Sequence, residues 1–437
     1  MGCDMVVALG RATVDGQTLF GQNADGPIHE GRLVSSTPKH EFAPGEKVHC
    51  QFVELPQVRH TSRVLACQPD GWWGYSHGVN EHGVAAGCAR LRNKLPCDHV
   101  GFTGGDLVRL ILERGHNARH AVDLLIELLD RRGQSPPPGV SQLGGRDHGF
   151  LIADGHEAFA VETAGRHWVY QEIRELRAAS NVCIIHQDWD RISHGLADLA
   201  IGQGWWAADG SKLDFADTLM ENPMGQSSGL RRWGRATLLL EQQNGHIDMA
   251  FVRRLLGDHY EGTHFEVDPL RLSVGPVPIC QHGNGPGGAT TASMIIQLTA
   301  DTCHLPIVWR AFGPPCESVY FPLFFEGDLP YPFTAAGHNA GLGRRLDWLV
   351  EALRHDPHAW ERLQESFCRL QAQFDHDAAE AAIEGALLKQ RGQTGQLYQL
   401  MTGIMSRHLE QFEAVLDEFL MPLSPKPESL AHRVLAR

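Results

Sequence analysis

Cys3-Asp4-Met5-Val6-Val7-Ala8-Leu9, then Asp15-Gly16, then Thr18-Leu19-Phe20-Gly21-Gln22-Asn23, is the stretch on which the reading of this chain turns. The first run is apolar and strand-length, Asp-Gly is a turn dipeptide, and the second run returns, so the spacing predicts a hairpin. Such a hairpin fixes Cys3 at the end of a sheet. A thiol there is usually core filling. Its position also gives it a second meaning: removal of Met1 and Gly2 would leave Cys3 with both a nucleophilic sulfur and a free α-amine. An α-amine titrates at about 7.7–8, close enough to neutrality to accept a proton and return it. One residue then supplies nucleophile and base.

Further strands are expected at Val64-Leu65-Ala66-Cys67, Gly83-Val84-Ala85-Ala86-Gly87, Gly149-Phe150-Leu151-Ile152-Ala153, Ala158-Phe159-Ala160-Val161-Glu162 and Trp168-Val169-Tyr170, with Asp154-Gly155 as a hairpin turn. Helical periodicity runs from residue 104 to Gly115, and again from an Asn117 N-cap to a stop at Gly133. Ser135-Pro136-Pro137-Pro138-Gly139 cannot continue a helix. Beyond about residue 335 the pattern is wholly helical, with Pro357 as a first helical residue and apolar spacing from Gln396 to Leu420. This predicts an α+β core over residues 1–335 and a helical C-terminal extension over 336–437. The segment Ser424-Pro425-Lys426-Pro427 reads as a loose tail.

At 437 residues the chain can bury a large core. Its formal charge of −14 argues against a nucleic-acid partner. No apolar run reaches the length of a membrane span, and the N-terminus lacks the basic start of a signal peptide, so a cytoplasmic protein is expected. Ten cysteines are scattered without a Cys-x-x-Cys pair, so nine of them, all but Cys3, read as small core residues. Among 25 histidines, His77, His82, His148, His167, His186 and His282 show no metal-ligand spacing, so no metal site is expected. No cofactor is expected either: Gly285-Pro286-Gly287-Gly288-Ala289-Thr290-Thr291 lacks the Gly-Lys-Ser/Thr ending of a phosphate loop and reads as a turn entering Ala292 to Leu298. Trp72-Trp73 and Trp205-Trp206 read as packing pairs more readily than as a substrate pocket.

Gly78-Val79-Asn80-Glu81-His82-Gly83-Val84 places an Asn between a turn and a strand, where its amide could face a reacting carbonyl oxygen or simply stabilise the turn. Asn181 in Ala179-Ser180-Asn181-Val182 and Asp25 in Gly21-Gln22-Asn23-Ala24-Asp25 are open to the same two readings.

These blocks occur in order with Gly105-Asp106-Leu107-Val108-Arg109-Leu110, Val161-Glu162-Thr163-Ala164-Gly165-Arg166-His167-Trp168, Gly204-Trp205-Trp206 and Ala289-Thr290-Thr291-Ala292-Ser293-Met294. Taken together, the chain resembles the secernins and related bacterial dipeptidases of the cysteine N-terminal-nucleophile (Ntn) hydrolase superfamily. The resemblance implies a four-layer αββα sandwich, with Cys3 as nucleophile, Asp25 orienting its α-amine, and Asn80 with Asn181 placing the oxyanion and substrate. It implies hydrolysis of a small peptide or other linear amide through a thioester, after an autoprocessing step that exposes Cys3. An acyltransferase using the same acyl-enzyme, a non-catalytic interaction protein, and an assembly role for the helical extension remain open. A homo-oligomer is compatible with the sequence. One departure bears on substrate: where the dipeptidase-like members usually read Gly-Lys-Asn-Ser-Asp-Arg, this chain reads Gly21-Gln22-Asn23-Ala24-Asp25-Gly26. Neither Gln22 nor Gly26 can favour a thiolate or hold a peptide carboxylate as a cation would.

Overall fold

A computed structural model describes residues 3–27, 32–96, 99–135, 147–221, 227–270, 275–283, 288–300, 304–334 and 341–423. Met1, Gly2, Cys97, Cys303, Pro136-Pro137-Pro138-Gly139, Gly285-Pro286-Gly287 and the tail from Ser424 lie outside the described residues.

Two antiparallel sheets lie face to face. The first runs β14 (Leu176–Ala179), β1 (Cys3–Ala8), β2 (Thr18–Gly26), β16 (Ala289–Leu298), β17 (Ile307–Phe312), β18 (Phe321–Leu323). The second runs β15 (Arg191–Ile192), β13 (His167–Ile173), β12 (Ala158–Ala164), β11 (Asp147–Ala153), β10 (Ala85–Leu91), β9 (His77–Asn80), β8 (Val64–Pro69), β3 (Arg32–Thr37). Two ribbons, β4 (His40–Glu41) with β7 (His60–Thr61) and β5 (Lys47–His49) with β6 (Glu54–Pro56), sit apart from both.

The strands' two-residue period builds the layers. In β10, Ala85, Ala89 and Leu91 join the core shared with the first sheet, while Ala86 and Cys88 join a second core with Leu107, Ile111 and Leu125. Those last residues belong to α1 (Gly104–Arg114) and α2 (Ala118–Arg132), which form the outer helical layer. On the other side, α5 (Ser227–Gln242) and α6 (Met249–Leu256) cover the first sheet. The close approach is set at Gly21, where an added Cβ would lie 3.2 Å from both Val252 and Leu256 side chains. The layer order is therefore αββα, as the resemblance implied. Two short helices, α3 (Leu196–Gly202) and α4 (Phe215–Leu219), lie in the segment between β15 and α5.

The helix ends expected at Gly115, Asn117, Gly133 and Pro357 are present, and the start of α1 has a cap the sequence reading did not name. The Thr103 hydroxyl and the Asp106 carboxylate form a capping box at α1. Asn117 caps α2 through His120 N, and Gly133 ends it at φ +69°. Beyond β18 the chain is helical through α7 (Leu342–Leu353), α8 (Pro357–Gln390) and α9 (Thr394–Leu420), with Pro357 opening α8. These helices share one continuous apolar core with the first sheet. Phe321 of β18 packs edge-on to Phe412 at 5.1 Å and lies 5.5 Å from Phe374. The sequence reading did not assign β16 as a strand. Its second and third residues are threonines whose hydroxyls serve β2, Thr290 bonding Asp25 and Thr291 bonding Ala24 O, so the apolar run looks shorter than the strand. Among the described residues, no helix is long and apolar enough to cross a membrane.

Candidate active site

Cys3 opens β1, an inner strand of the first sheet, and pairs with Ala24 of β2. It is partly buried. Alternation sends Cys3, Met5 and Val7 one way and Asp4, Val6 and Ala8 the other. The register also fixes the partner strand: Asp25 lies one residue beyond Ala24, where β2 meets Thr290 of β16.

The Cys3 backbone nitrogen donates to Asn181 Oδ1 at 2.8 Å. The same oxygen accepts from Arg232 Nη2 at 2.9 Å, and Asn181 Nδ2 donates to Arg90 O at 3.0 Å. Arg232, on the buried face of α5, also pairs with Asp4, and its Nη1 lies 4.0 Å from Asp25 Oδ2. Asp25 accepts from Thr290 Oγ1 at 2.8 Å and from Gln281 Nε2 at 2.5 Å. Cys3, Asp25 and Asn181 are thus brought together around a guanidinium.

The electrostatics follow from burial. Two carboxylates and one guanidinium are each at most 2% exposed. Burial, and then the neighbouring Asp4 charge, push the Asp25 carboxyl up to about 7, against the pull of Arg232 and the Thr290 hydroxyl. Burial also raises Asp4, opposed by Arg232. For Arg232, burial works against the charge, but Asp4 and Asp25 outweigh it and hold the group above its ordinary value. One cation between two buried acids leaves the cluster short of positive charge.

Asn80 is not part of this cluster. Val79 points into the inter-sheet core, so Asn80 points outward to the α1 layer. There its Nδ2 donates to Leu112 O at 2.9 Å and Gly115 O at 2.7 Å, at the C-terminal end of α1. Its Oδ1 accepts from His82 N and Val84 N, both at 3.0 Å. Both donor hydrogens and both acceptor sites are used, so the side chain fastens a turn to a helix end.

Arg232 was missed by the sequence reading, which found the neighbourhood of Cys3 stripped of cations at Gln22 and Gly26. A signal was present: Gly229, Arg232, Ala236 and Leu240 form the buried stripe of α5, and a charged residue in such a stripe needs a partner. Gln22 has a different task, spanning the sheets to donate to Cys88 O at 3.1 Å over the bare backbone of Gly87.

The other candidates fall elsewhere. His148 and His167 bond Gln134 and Ser193, His186 pairs with Asp214 on the surface, and His82 meets His116 edge to face. Trp73 lies under the Arg109 guanidinium at 4.2 Å, and Trp205 and Trp206 pack against the main core. Cys50, Cys67, Cys88 and Cys183 are buried as expected of core thiols. Cys280 and Cys316 are not of that kind: they meet His259 and His282, four metal-ligand side chains that the sequence reading did not connect. A surface cleft lined by Leu9, Arg11, Glu172 and Asn244 lies at the other end of β1 from Cys3.

The fold and site define an αββα protein whose inner strand begins at a partly buried cysteine, its backbone nitrogen bonded to an asparagine amide that also holds a guanidinium paired with a buried acid. Over 182 residues the chain is similar, at 29% identity, to the probable dipeptidase B of Lactococcus lactis subsp. lactis (strain IL1403), a match covering 38% of this chain and 35% of that protein. The chain therefore spans about a third of the length of that relative. No protein-family model matches. Among solved structures, the penicillin V acylase from Agrobacterium tumefaciens is similar at 13% identity and a TM-score of 0.39, covering 74% of this chain and 86% of that one. A mutant conjugated bile acid hydrolase from Clostridium perfringens is similar at 13% identity and a TM-score of 0.39, covering 71% and 89%.

Proposed function

We propose that this protein hydrolyses a linear amide bond, in a short peptide or a small molecule, with Cys3 as an N-terminal nucleophile. The observation that carries the reading is the Cys3 nitrogen 2.8 Å from Asn181 Oδ1, beside a buried group of two acids and one cation. While Gly2 is attached, that nitrogen is a neutral amide. Once freed, it is an amine that can take the proton of the Cys3 thiol, and the ammonium so formed carries the second positive charge that Asp4 and Asp25 call for.

In this reading the Cys3 sulfur attacks the substrate carbonyl carbon and its proton passes to the α-amine. The C–N bond then breaks, the leaving amine takes that proton, and a thioester remains. Water, deprotonated by the same amine, adds to the thioester and releases the carboxylic acid and the thiol. Asp25 orients the amine. One hydrogen of Asn181 Nδ2 goes to Arg90 O, and the second is the donor assigned to the oxyanion. Asn80 has no part in the chemistry. In exposing Cys3, its thiol would attack the Gly2 carbonyl carbon, the Gly2–Cys3 C–N bond would break as the thiol's proton goes to the freed nitrogen, and water would then hydrolyse the resulting thioester to release Met1-Gly2 as a carboxylic acid.

Arg232 is engaged by Asp4 and Asn181, so it is not offered to a substrate carboxylate. That favours a substrate recognised through its acyl portion over one anchored by a charged terminus. We assign the chemistry to residues 1–335 and a buttressing role to 336–437, whose helices brace β18. The similarity to a dipeptidase supports the hydrolase reading over the acyltransferase one.

The test is intact mass and N-terminal sequencing, followed by labelling with a peptide or acyl electrophile. A chain beginning at Cys3 and labelled on Cys3 is expected. A chain that keeps Gly2 on Cys3 and resists labelling would refute the proposal.

A further inference from the structure

Four side chains far apart in sequence converge beside the first sheet. His259 lies just after α6, Cys280 and His282 flank Gln281 in the strap that leads toward β16, and Cys316 lies in a short 3-10 turn (Pro315–Glu317) after β17. One donor atom from each lies within 4.8 Å of all the others. His259 Nε2 and His282 Nε2 are 2.9 Å apart. Cys280 Sγ and Cys316 Sγ are 3.6 Å apart, and they lie 3.5 and 3.3 Å from His282 Nε2. His259, Cys280 and His282 are buried and Cys316 partly so.

Each of these separations is within hydrogen-bonding range, but the carboxylates behind the two imidazoles point to a metal cage. Glu261 Oε1 lies 3.0 Å from His259 Nδ1, and Glu317 Oε1 lies 3.0 Å from His282 Nδ1. The Glu261 bond keeps the proton on His259 Nδ1 and turns that ring's Nε2 lone pair outward, and the Glu317 charge beside His282 Nδ1 favours the same tautomer. Both lone pairs then face each other at 2.9 Å, with two sulfurs beside them. Such an arrangement repels itself unless a proton or a metal ion lies between the facing atoms, and a metal ion at the centre serves all four at once. A tetrahedral ion with bonds of about 2.3 Å to sulfur and about 2.05 Å to nitrogen sets sulfurs about 3.8 Å apart, nitrogens about 3.3 Å apart and mixed pairs about 3.6 Å apart. The four separations given above are each a few tenths of an ångström shorter than these, and His259 Nε2 lies within 4.8 Å of both sulfurs.

We infer that His259, Cys280, His282 and Cys316 form a structural zinc site. Two thiolates and two imidazoles suit zinc. Four protein ligands close its coordination, so the ion has no position for water or substrate and does not act as a catalyst. Binding releases one proton from each thiol, and the two thiolates balance the ion's charge. The carboxylates of Glu261 and Glu317 orient the imidazoles from behind.

The site's position gives it a task. Cys280 and His282 clamp the residue between them, and Gln281 is the one that donates to Asp25 Oδ2. Gln281 also exchanges hydrogen bonds with Thr290, through its N to Thr290 Oγ1 at 3.0 Å and from Thr290 N to its O at 2.9 Å. Ile279 O accepts from Asn23 Nδ2 at 3.1 Å. The ion anchors this strap to α6 and the turn after β17, and so holds Gln281 against Asp25. The inference stands whichever bond Cys3 cleaves.

The test is the metal content of the full chain, purified without chelator under reducing conditions. About one zinc per chain is expected, either as isolated or after adding zinc to the chelator-treated protein. Cys280→Ser and Cys316→Ser should bring zinc to background, while Cys368→Ser, at an exposed cysteine outside the cluster, should retain it. Should the cluster variants fail to fold, cobalt substituted into the wild-type chain decides: thiolate-to-cobalt charge transfer and intense tetrahedral visible bands are expected. Zinc-dependent protection of Cys280 and Cys316 from alkylation, read by peptide mass, should accompany them. No zinc uptake by the folded wild-type chain, an octahedral cobalt spectrum, or a Cys280–Cys316 disulfide in the native protein would each overturn the inference.

Discussion

Replacing Asp25 by Asn should flatten the dependence of stability on pH in the unprocessed protein. The background for the comparison is Cys3→Ala with Met1 and Gly2 still attached, verified by mass. In it, burial and the charge of Asp4 raise the Asp25 carboxyl from 3.8 to about 7. A carboxyl raised in the folded state keeps a proton there that the unfolded chain has already lost. Stability is therefore greatest below about pH 4 and falls as pH climbs to about 7, beyond which the loss is complete. The rise corresponds to about 4 kcal/mol, a large share of the roughly 5–15 kcal/mol that holds a domain folded. Asn cannot ionise, and it also relieves Asp4 of a like charge, so both contributions shrink together. The assay is urea unfolding followed by circular dichroism at half-unit steps between about pH 4 and 8. Subtracting the two profiles cancels groups common to both, among them Glu162, which burial raises to about 7. Profiles parallel to within about 1 kcal/mol would refute the reasoning, because the acid would then not be short of cation.

Arg232→Met should destabilise the chain by about 3–5 kcal/mol at neutral pH, the usual result of stripping a buried pair of one partner. Part of that loss should return on acidification as Asp4 and Asp25 protonate, which denaturant titrations at two pH values will read. Asn80→Ala should cost roughly 1–3 kcal/mol through the turn and the end of α1, with the turnover of the folded fraction unchanged. A fall of about 10²–10³ in rate at full stability would return Asn80 to the oxyanion. Asn181→Ala should give the opposite split, a folded protein by circular dichroism whose turnover drops about 10²–10³-fold.

The contrast between Asn80 and Asn181 shows where sequence stops being informative. Both are Asn residues beside a strand, and nothing local separates them. What does is the face on which each lands: strand alternation turns Asn80 toward α1, and the chain's return through β14 sets Asn181 against Cys3. The hairpin of β1 and β2, the caps of α1 and α2 and the Pro357 start of α8 were legible because a few neighbouring residues determine them. Arg232 and Asp4 are 228 residues apart, and Gln281 and Asp25 are 256 apart, so no local window contains either pair. The same distance hid the four-residue cluster. His259, Cys280, His282 and Cys316 come from three segments, with Cys316 delivered by the turn after β17, and no motif spacing survives that route. Each segment nevertheless ends against β2 or its neighbour β16, because those strands are where the first sheet's long crossovers meet. A buried acid at the end of β2 therefore draws its partners from the whole length of the chain, and fixing them takes more than hydrogen bonds between loops. A closed metal site one residue from Gln281 provides the rigidity that such a convergence requires.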